Sequence, residues 1–412
     1  MRILLTDGSG LTSRQVASQL GNAGHRVEVL SPSALALTRF TRWVHRVHRT
    51  PAYGSDPLGW LVAALSVYRA ARMDMLFPTQ EQVAALSACA DLVDAQGVRT
   101  AIPPFAALRQ VQDKLAACRT LSALGLPQPC SAILPRREDV TAWDRFPVYM
   151  KLPIGTAITG VRLVSASSDL PRVVAEANVA GAFEDGGVLA QAPVAGRLAM
   201  IQTIFARGEL VAFHACLRVR EGSGGVASGK LSVRLPAAQE HLAALGRHLG
   251  WHGALSADAI LTEAGPVYID LNPRLVEPGN ALRSGVDLVT PMLELATGGS
   301  PTRQPPARPG VATHQLLLAV LGAAEHAGTR RAVLTELASA LSHAASYRRS
   351  REELTPLEAD PVAALPLLVA ASAVLVHPPA WRWFASSSVS NYALTASGWR
   401  EILERAHAPE RA

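Results

Sequence analysis

Through the first hundred residues, apolar positions switch repeatedly between two periods. Short β-rich runs at residues 3–6, 27–30 and 75–77 read as strands, whereas 13–23, 58–71 and 82–95 carry apolar side chains at helical spacing. Strand and helix in alternation predict a parallel sheet covered by helices. Past Pro103 and Pro104 a helical pattern over 113–124 leads through Pro127 and Pro129 into a stretch, 146–298, of β-branched and alternating runs, with helices expected near 169–180 and 237–249. A proline-rich segment, 300–309, reads as a linker, and 313–323, 332–343 and 362–376 beyond it read as helices. The expected fold class is α/β and α+β, in three parts: an N-terminal α/β unit (1–104), a central α+β unit (105–299) and a mainly helical C-terminal region (300–412).

Composition narrows the class without naming a chemistry. A chain of 412 residues, 49% hydrophobic and 17% charged, fits two or three globular units. The formal charge of +6 is spread along the chain, so nucleic acid is not an expected partner. The densest basic run, Arg39, Arg42, His45, Arg46, His48 and Arg49, reads as a solvated face, with a landing site for an anionic substrate as the second reading. Cys89, Cys118, Cys130 and Cys216 form no CxxC pair and lack histidines at ligand spacing, which points away from zinc and from a disulfide framework. Asp7 follows too few apolar residues for a signal peptide, so a cytoplasmic location is expected. The longest apolar run, 362–376, is shorter than the roughly 20 residues that cross a bilayer, and Pro366 interrupts it. It reads as a buried helix, with contact at a membrane surface as the second reading.

Lysine is scarce: of 39 Lys and Arg residues, only Lys114, Lys151 and Lys230 are lysine. A compact ammonium on a flexible stem reaches between phosphate oxygens where a planar guanidinium does not fit. Lys151 ends the predicted strand Pro147-Val148-Tyr149-Met150-Lys151 and enters a loop, Leu152-Pro153-Ile154-Gly155-Thr156-Ala157-Ile158-Thr159-Gly160, able to turn N–H groups and threonine hydroxyls onto phosphates. The lysine precedes the glycines, so this is not a P-loop.

Residues 253–261 and 266–272 flank the turn Thr262-Glu263-Ala264-Gly265 and predict a hairpin. With the turn centred on Ala264, Asp258 falls opposite Asp270, and Asn272 points the same way two residues on. Like charges directly opposite in a sheet are destabilising. A divalent cation relieves the repulsion, and two carboxylates with an amide oxygen suit magnesium.

Asp113-Lys114, Lys151 with glycines four and nine residues on, Asp258, and Asp270-Leu271-Asn272-Pro273-Arg274 follow one another in an order and spacing that resembles the ATP-grasp superfamily over residues 1–298. The resemblance implies an N-terminal Rossmann-like pre-ATP-grasp domain, a two-lobed ATP-grasp fold clamping ATP, and here a helical C-terminal extension. It implies ATP and Mg2+ as cofactors. Lys114 and Lys151, with Gly155, Thr156, Thr159 and Gly160, are expected on the phosphates, and Gln191, Ala192 and Val194 on the adenine. Asp258, Asp270 and Asn272 are the expected metal ligands. Arg274 is expected on the transferred phosphoryl group, Lys230 in a mobile loop that follows Glu221-Gly222-Ser223-Gly224-Gly225, and Arg220, which shares a strand face with Arg218, on an anion. Two positions depart from the pattern: Leu198 stands where many members carry a ribose-binding glutamate, and Ala157-Ile158 where many carry Gly-Ser.

The expected function is an ATP- and Mg-dependent ligase that activates a carboxylic acid as an acyl phosphate for attack by an amine, with a homodimer as one assembly. Carboxyphosphate or carbamoyl phosphate chemistry is the alternative within the superfamily. From other classes, a nonenzymatic nucleotide-binding module remains open, as does an NAD-dependent oxidoreductase resting on Gly8-Ser9-Gly10. In that turn Ser13 replaces the third glycine, and the second strand ends in Ser31 instead of an acid.

Overall fold

A computed structural model describes residues 1–156 and 159–407, so the Ala157-Ile158 departure lies outside the described residues. Strands β1 (Arg2–Leu5), β2 (Arg26–Ser31), β3 (Val44–Arg49) and β4 (Met75–Phe77) form a parallel sheet in the order β3-β2-β1-β4. On β1, Ile3 and Leu5 enter one core with Val16 and Leu20, while Leu4 enters another with Trp60 and Leu61. Burial on both faces explains why this strand is a continuous apolar run. The basic run read as a solvated face is in part β3, an edge strand whose His48 Nε2 meets the Glu28 carboxylate at 2.7 Å. Charge conceals an edge strand from a hydrophobic pattern.

Strands β5 (Ser131–Leu134), β6 (Val148–Lys151), β7 (Val161–Val164) and β8 (Val188–Gln191) make an antiparallel sheet ordered β5-β8-β6-β7. The helix Leu170–Ala180 buries Leu170, Val173 and Ala177 against it. The largest sheet joins β9 (Arg197–Ala206), β10 (Glu209–Glu221), β11 (Ala227–Val233), β12 (Gly253–Thr262), β13 (Gly265–Asn272), β14 (Ala312–His314) and β15 (Ser350–Glu352) in the order β13-β12-β9-β10-β11-β14-β15. The helix Pro236–Leu249 covers it through Leu242 and Leu245, which pack with Phe205 and Leu255. Each such side chain contributes about 1.5–3 kcal/mol when fully buried.

Residues beyond the proline-rich segment are built into this body. β14 pairs with β11, and the helix Ala396–His407 places Trp399 and Ile402 in the core that holds Leu4 and Trp60. Arg14 and Asp360 form a fully buried ion pair at 3.0 Å. The helix Ala364–Val376 corrects the expectation of a buried helix: Leu367, Ala370, Ala371 and Val374 are buried, but Leu365, Leu368, Val369 and Val376 are exposed. Among the described residues no helix is long and apolar enough to cross a membrane.

Candidate functional site

Asp258 on β12 and Asp270 on β13 stand opposite one another, as do Ser256 and Asn272. The turn is one half-step tighter than expected, because Thr262 pairs with Gly265 and Ala259 with Tyr268. Ile269 is the extra residue on β13 that restores the expected register at the acids. The carbonyl of this bulged residue accepts a hydrogen bond from Lys151 Nζ at 2.7 Å, so β6 of the small sheet reaches the acid pair on the large one. Burial, and then the neighbouring Asp270, push Asp258 up to about 7, with Arg274 and Lys151 opposing. Burial lowers Lys151, with Asp270 opposing and Lys114 adding to the fall. Two facing carboxylates with a depressed ammonium beside them make a donor set that fits a hard divalent cation. Among the described residues no three His, Cys, Asp or Glu side chains gather as a metal-holding group, so the candidate donors here are the two carboxylates and the Asn272 amide.

Asp113 caps the helix Lys114–Ala123 by accepting from Leu115 N at 2.7 Å and Ala116 N at 3.1 Å. The cap presents Lys114 to the 152–160 loop, where its Nζ donates to the Gly155 carbonyl at 2.7 Å. Gly155 is required by close approach: a Cβ there would lie 2.3 Å from the Thr159 carbonyl. Gly160 is required by a φ of +76°. Thr156 N donates to Thr159 Oγ1 at 3.1 Å, but the buried Thr156 Oγ1 has no partner among the described residues. At the end of β8, Gln191 Nε2 donates to Ser131 Oγ at 3.2 Å while its buried Oε1 has no partner among the described residues. The Ala192 N–H donates to the Cys130 carbonyl at 2.9 Å, and Val194 lies part-exposed just beyond. An unfilled hydroxyl one residue past the carbonyl that holds Lys114, and an unfilled amide oxygen at the strand end, suit phosphate and an amino-bearing base.

Two expected residues, Lys230 and Arg220, have other surroundings. Lys230 is not in a mobile loop: it lies on β11, buried, bonded to Glu277 at 2.5 Å and to Glu353. Burial opposes its charge, yet the two acids hold its pKa above the ordinary value. Arg220 turns to the C-terminal region, pairing with Glu336 and donating to Tyr347 Oη at 3.0 Å. Its neighbour Arg218 bonds the Gly225 carbonyl at 2.6 Å. Arg274 does belong beside the acids, acting on Asp258 while its Nε donates to Glu81 Oε1 at 2.9 Å. His214 is buried on Asn280 Oδ1 at 3.0 Å, and burial drops its pKa to about 3, so it is a neutral structural residue.

The structure also brings in groups that the sequence did not single out. Glu81 follows β4, and Glu277 adopts φ +45°, a conformation rare outside glycine, with its N–H donated to Thr12 Oγ1 at 3.1 Å. Glu353 arrives from the C-terminal region, and Gln315 Nε2 binds it at 2.7 Å. Tyr392 sits where Arg274, Asp7, Glu81 and Glu277 all act on it, and Asn391 Nδ2 donates to Ser9 Oγ at 3.0 Å. Backbone strain at Glu277 leaves no signature in a single sequence. The Gly8-Ser9-Gly10 turn is filled from within, since Asp7 Oδ2 accepts from Ser9 N at 2.9 Å and Gly10 N at 2.6 Å. A carboxylate seated on those N–H groups displaces the pyrophosphate that a dinucleotide would place there.

No family model matches the chain, and no curated protein matches it in sequence. Solved structures do match in fold. The biotin carboxylase domain of 2-oxoglutarate carboxylase from Hydrogenobacter thermophilus, solved with MgADP, ADP and bicarbonate, aligns over 76% of this chain and 73% of its own, with a TM-score of 0.60 and 16% identity. Biotin carboxylase from Campylobacter jejuni aligns over 76% and 74%, with a TM-score of 0.59 and 18% identity. N5-carboxyaminoimidazole synthetase from Staphylococcus aureus aligns over 76% and 82%, with a TM-score of 0.56 and 15% identity. These neighbours are ATP-grasp enzymes, and the mixed α/β fold of this chain is the fold that they share.

Proposed function

We propose that this chain is an ATP- and Mg-dependent ligase that activates a carboxylate as an acyl phosphate and passes it to an amine. One observation carries the reading: Lys151 of the small sheet reaches the β-bulge that sets Asp258 against Asp270 on the large sheet. Lys114, Lys151 and the Thr156 hydroxyl hold the triphosphate, and the Gln191 amide oxygen accepts from the adenine amino group. Asp258, Asp270 and Asn272 would hold Mg2+, which neutralises charge on the phosphate being transferred. Arg274, fixed by Glu81, stands beside them to steady the phosphoryl group. A carboxylate oxygen takes the γ-phosphoryl group and ADP leaves. The amine nitrogen then attacks the acyl carbon, phosphate departs and nitrogen gives up its proton. Arg220 is proposed to position the C-terminal region, and Lys230 to hold Glu277 and Glu353 in place. The division into 1–104, 105–299 and 300–412 belongs to the same proposal.

An ADP-release screen of carboxylic acids with hydroxylamine as acceptor tests it, since the activated acid is trapped as a hydroxamate. Lys151→Ala and Asp270→Ala should abolish the signal in folded protein. A second reading, with bicarbonate as the carboxylate, is favoured by the fold shared with two biotin carboxylases, one of them bound to bicarbonate. Bicarbonate-stimulated ADP release without any hydroxamate would select it. ATP binding with no turnover on any acid or bicarbonate would leave only a nucleotide-binding module.

A further inference from the structure

The helix Ala364–Val376 exposes an apolar stripe that one serine, Ser372, interrupts. Leu365, Leu368, Val369 and Val376 recur at helical spacing on it, while Leu367, Ala370, Ala371 and Val374 on the opposite face fill the core. Exposure is large for an apolar row: 59% at Leu368 and Val369, and 73% at Val376. The stripe continues past the helix end, where the rings of His377 and Trp383 lie 6.3 Å apart and Trp383 is 67% exposed. Contiguous apolar surface of this kind marks a place where something docks.

The surrounding charge says what docks there. Between Pro361 and Phe384 there is no Asp or Glu, and the ionisable groups are His377 and Arg382. Arg330 adds a second cation at the helix end by donating from Nη2 to the Val376 carbonyl at 2.8 Å, and exposed Arg331 follows it. We infer that this face is a docking surface for an anionic phospholipid membrane, with the apolar stripe and Trp383 entering the interface and the arginines meeting the headgroups. A tryptophan beside an apolar stripe edged with arginine is the composition of a helix lying in the membrane surface. A second copy of this chain is disfavoured, because a two-fold contact opposes the same arginine rim to itself. The helix has 13 residues, too few to cross, so the contact is superficial.

Co-sedimentation of the full chain tests this with vesicles of phosphatidylglycerol and phosphatidylcholine in equal parts, against phosphatidylcholine alone. Binding is expected to the mixed vesicles and not to the neutral ones, and to weaken as salt rises. Leu368→Asp with Val369→Asp should abolish it, and Arg330→Ser should weaken it about fivefold. Neither site has a lysine or acid of the candidate site among its partners, so folding is checked by unchanged circular dichroism and unchanged nucleotide binding. Absence of sedimentation, or equal binding to neutral vesicles, overturns the inference. So does light scattering that shows a dimer which the Leu368→Asp, Val369→Asp variant converts to monomer.

Discussion

The ammonium of Lys151 donates to the carbonyl oxygen of Ile269, 118 positions later in the chain, and Ile269 is the residue bulged out of β13. One irregular residue therefore does two things. It offers the lysine a neutral acceptor, and it shifts the strand so that Asp270 faces Asp258. Lys114 rests in the same way on the Gly155 carbonyl. A phosphate would replace both carbonyls with a charged acceptor, and charged hydrogen bonds are worth about 1.5–3 kcal/mol. Lys151→Met should thus weaken binding of a non-hydrolysable ATP analogue by about tenfold to a hundredfold in calorimetry. An affinity within a factor of two of the parent would remove Lys151 from the phosphate site.

The Asp258 carboxyl carries a pKa near 7 because burial and Asp270 both disfavour its charge. A cation binds the carboxylate, not the acid, so binding must expel a proton whenever the pH lies below that value. Magnesium-dependent nucleotide affinity should rise from pH 6 to pH 8, by up to about tenfold per unit below neutrality. Calorimetry in two buffers of different ionisation enthalpy should count the released proton at the lower pH. Asp258→Asn should flatten the profile and weaken binding throughout. A pH-independent affinity in the parent protein would contradict the metal assignment.

Much of this site was legible because its residues carry local signals. A lysine closing a strand, glycines at fixed offsets and two acids in one hairpin can be read from spacing. Even there the register came out right through compensation, since the tighter turn and the Ile269 bulge cancel at the acids. Long-range partners were not legible. Lys230 has no local feature that announces Glu277 and Glu353, 47 and 123 residues away. Arg220 is expected, with Arg218 on the same strand face, to meet an anion, yet its partner is the carboxylate of Glu336, contributed by a later helix. Strands β14 and β15 are three residues each and lie within segments that look helical or polar, too short for a period-two pattern.

Asp360 holds the C-terminal region to the helix Leu11–Asn22 and to the segment that leads into β3. Its carboxylate takes Arg14 Nη2 at 3.0 Å, the Arg42 N–H at 3.2 Å and the Thr41 hydroxyl, with no exposure on either partner of the ion pair. Asp360→Ala leaves the guanidinium buried without its counter-charge, which costs about 3–5 kcal/mol. Urea unfolding should show that loss. Arg14→Met in the same background should recover part of it, because the unpaired charge is then gone. A variant as stable as the parent would mean that Arg14 finds water on release.

Asp7 sets a pH dependence of its own. Burial raises its pKa to about 6, although the Ser9 and Gly10 N–H groups pull the other way, and its Oδ1 has no partner among the described residues. The folded state therefore holds this proton more tightly than the unfolded chain does. The stabilisation is complete below the unfolded value and is lost as pH rises through about 6. Asp7→Asn keeps an oxygen for the two N–H groups and cannot ionise. Relative to that variant, the parent should lose about 2 kcal/mol of unfolding free energy between about pH 4.5 and about pH 7. Parallel urea titrations at the two pH values read the difference directly. Equal pH dependence in both proteins would place the Asp7 carboxyl in contact with water and return the turn to service as an anion site.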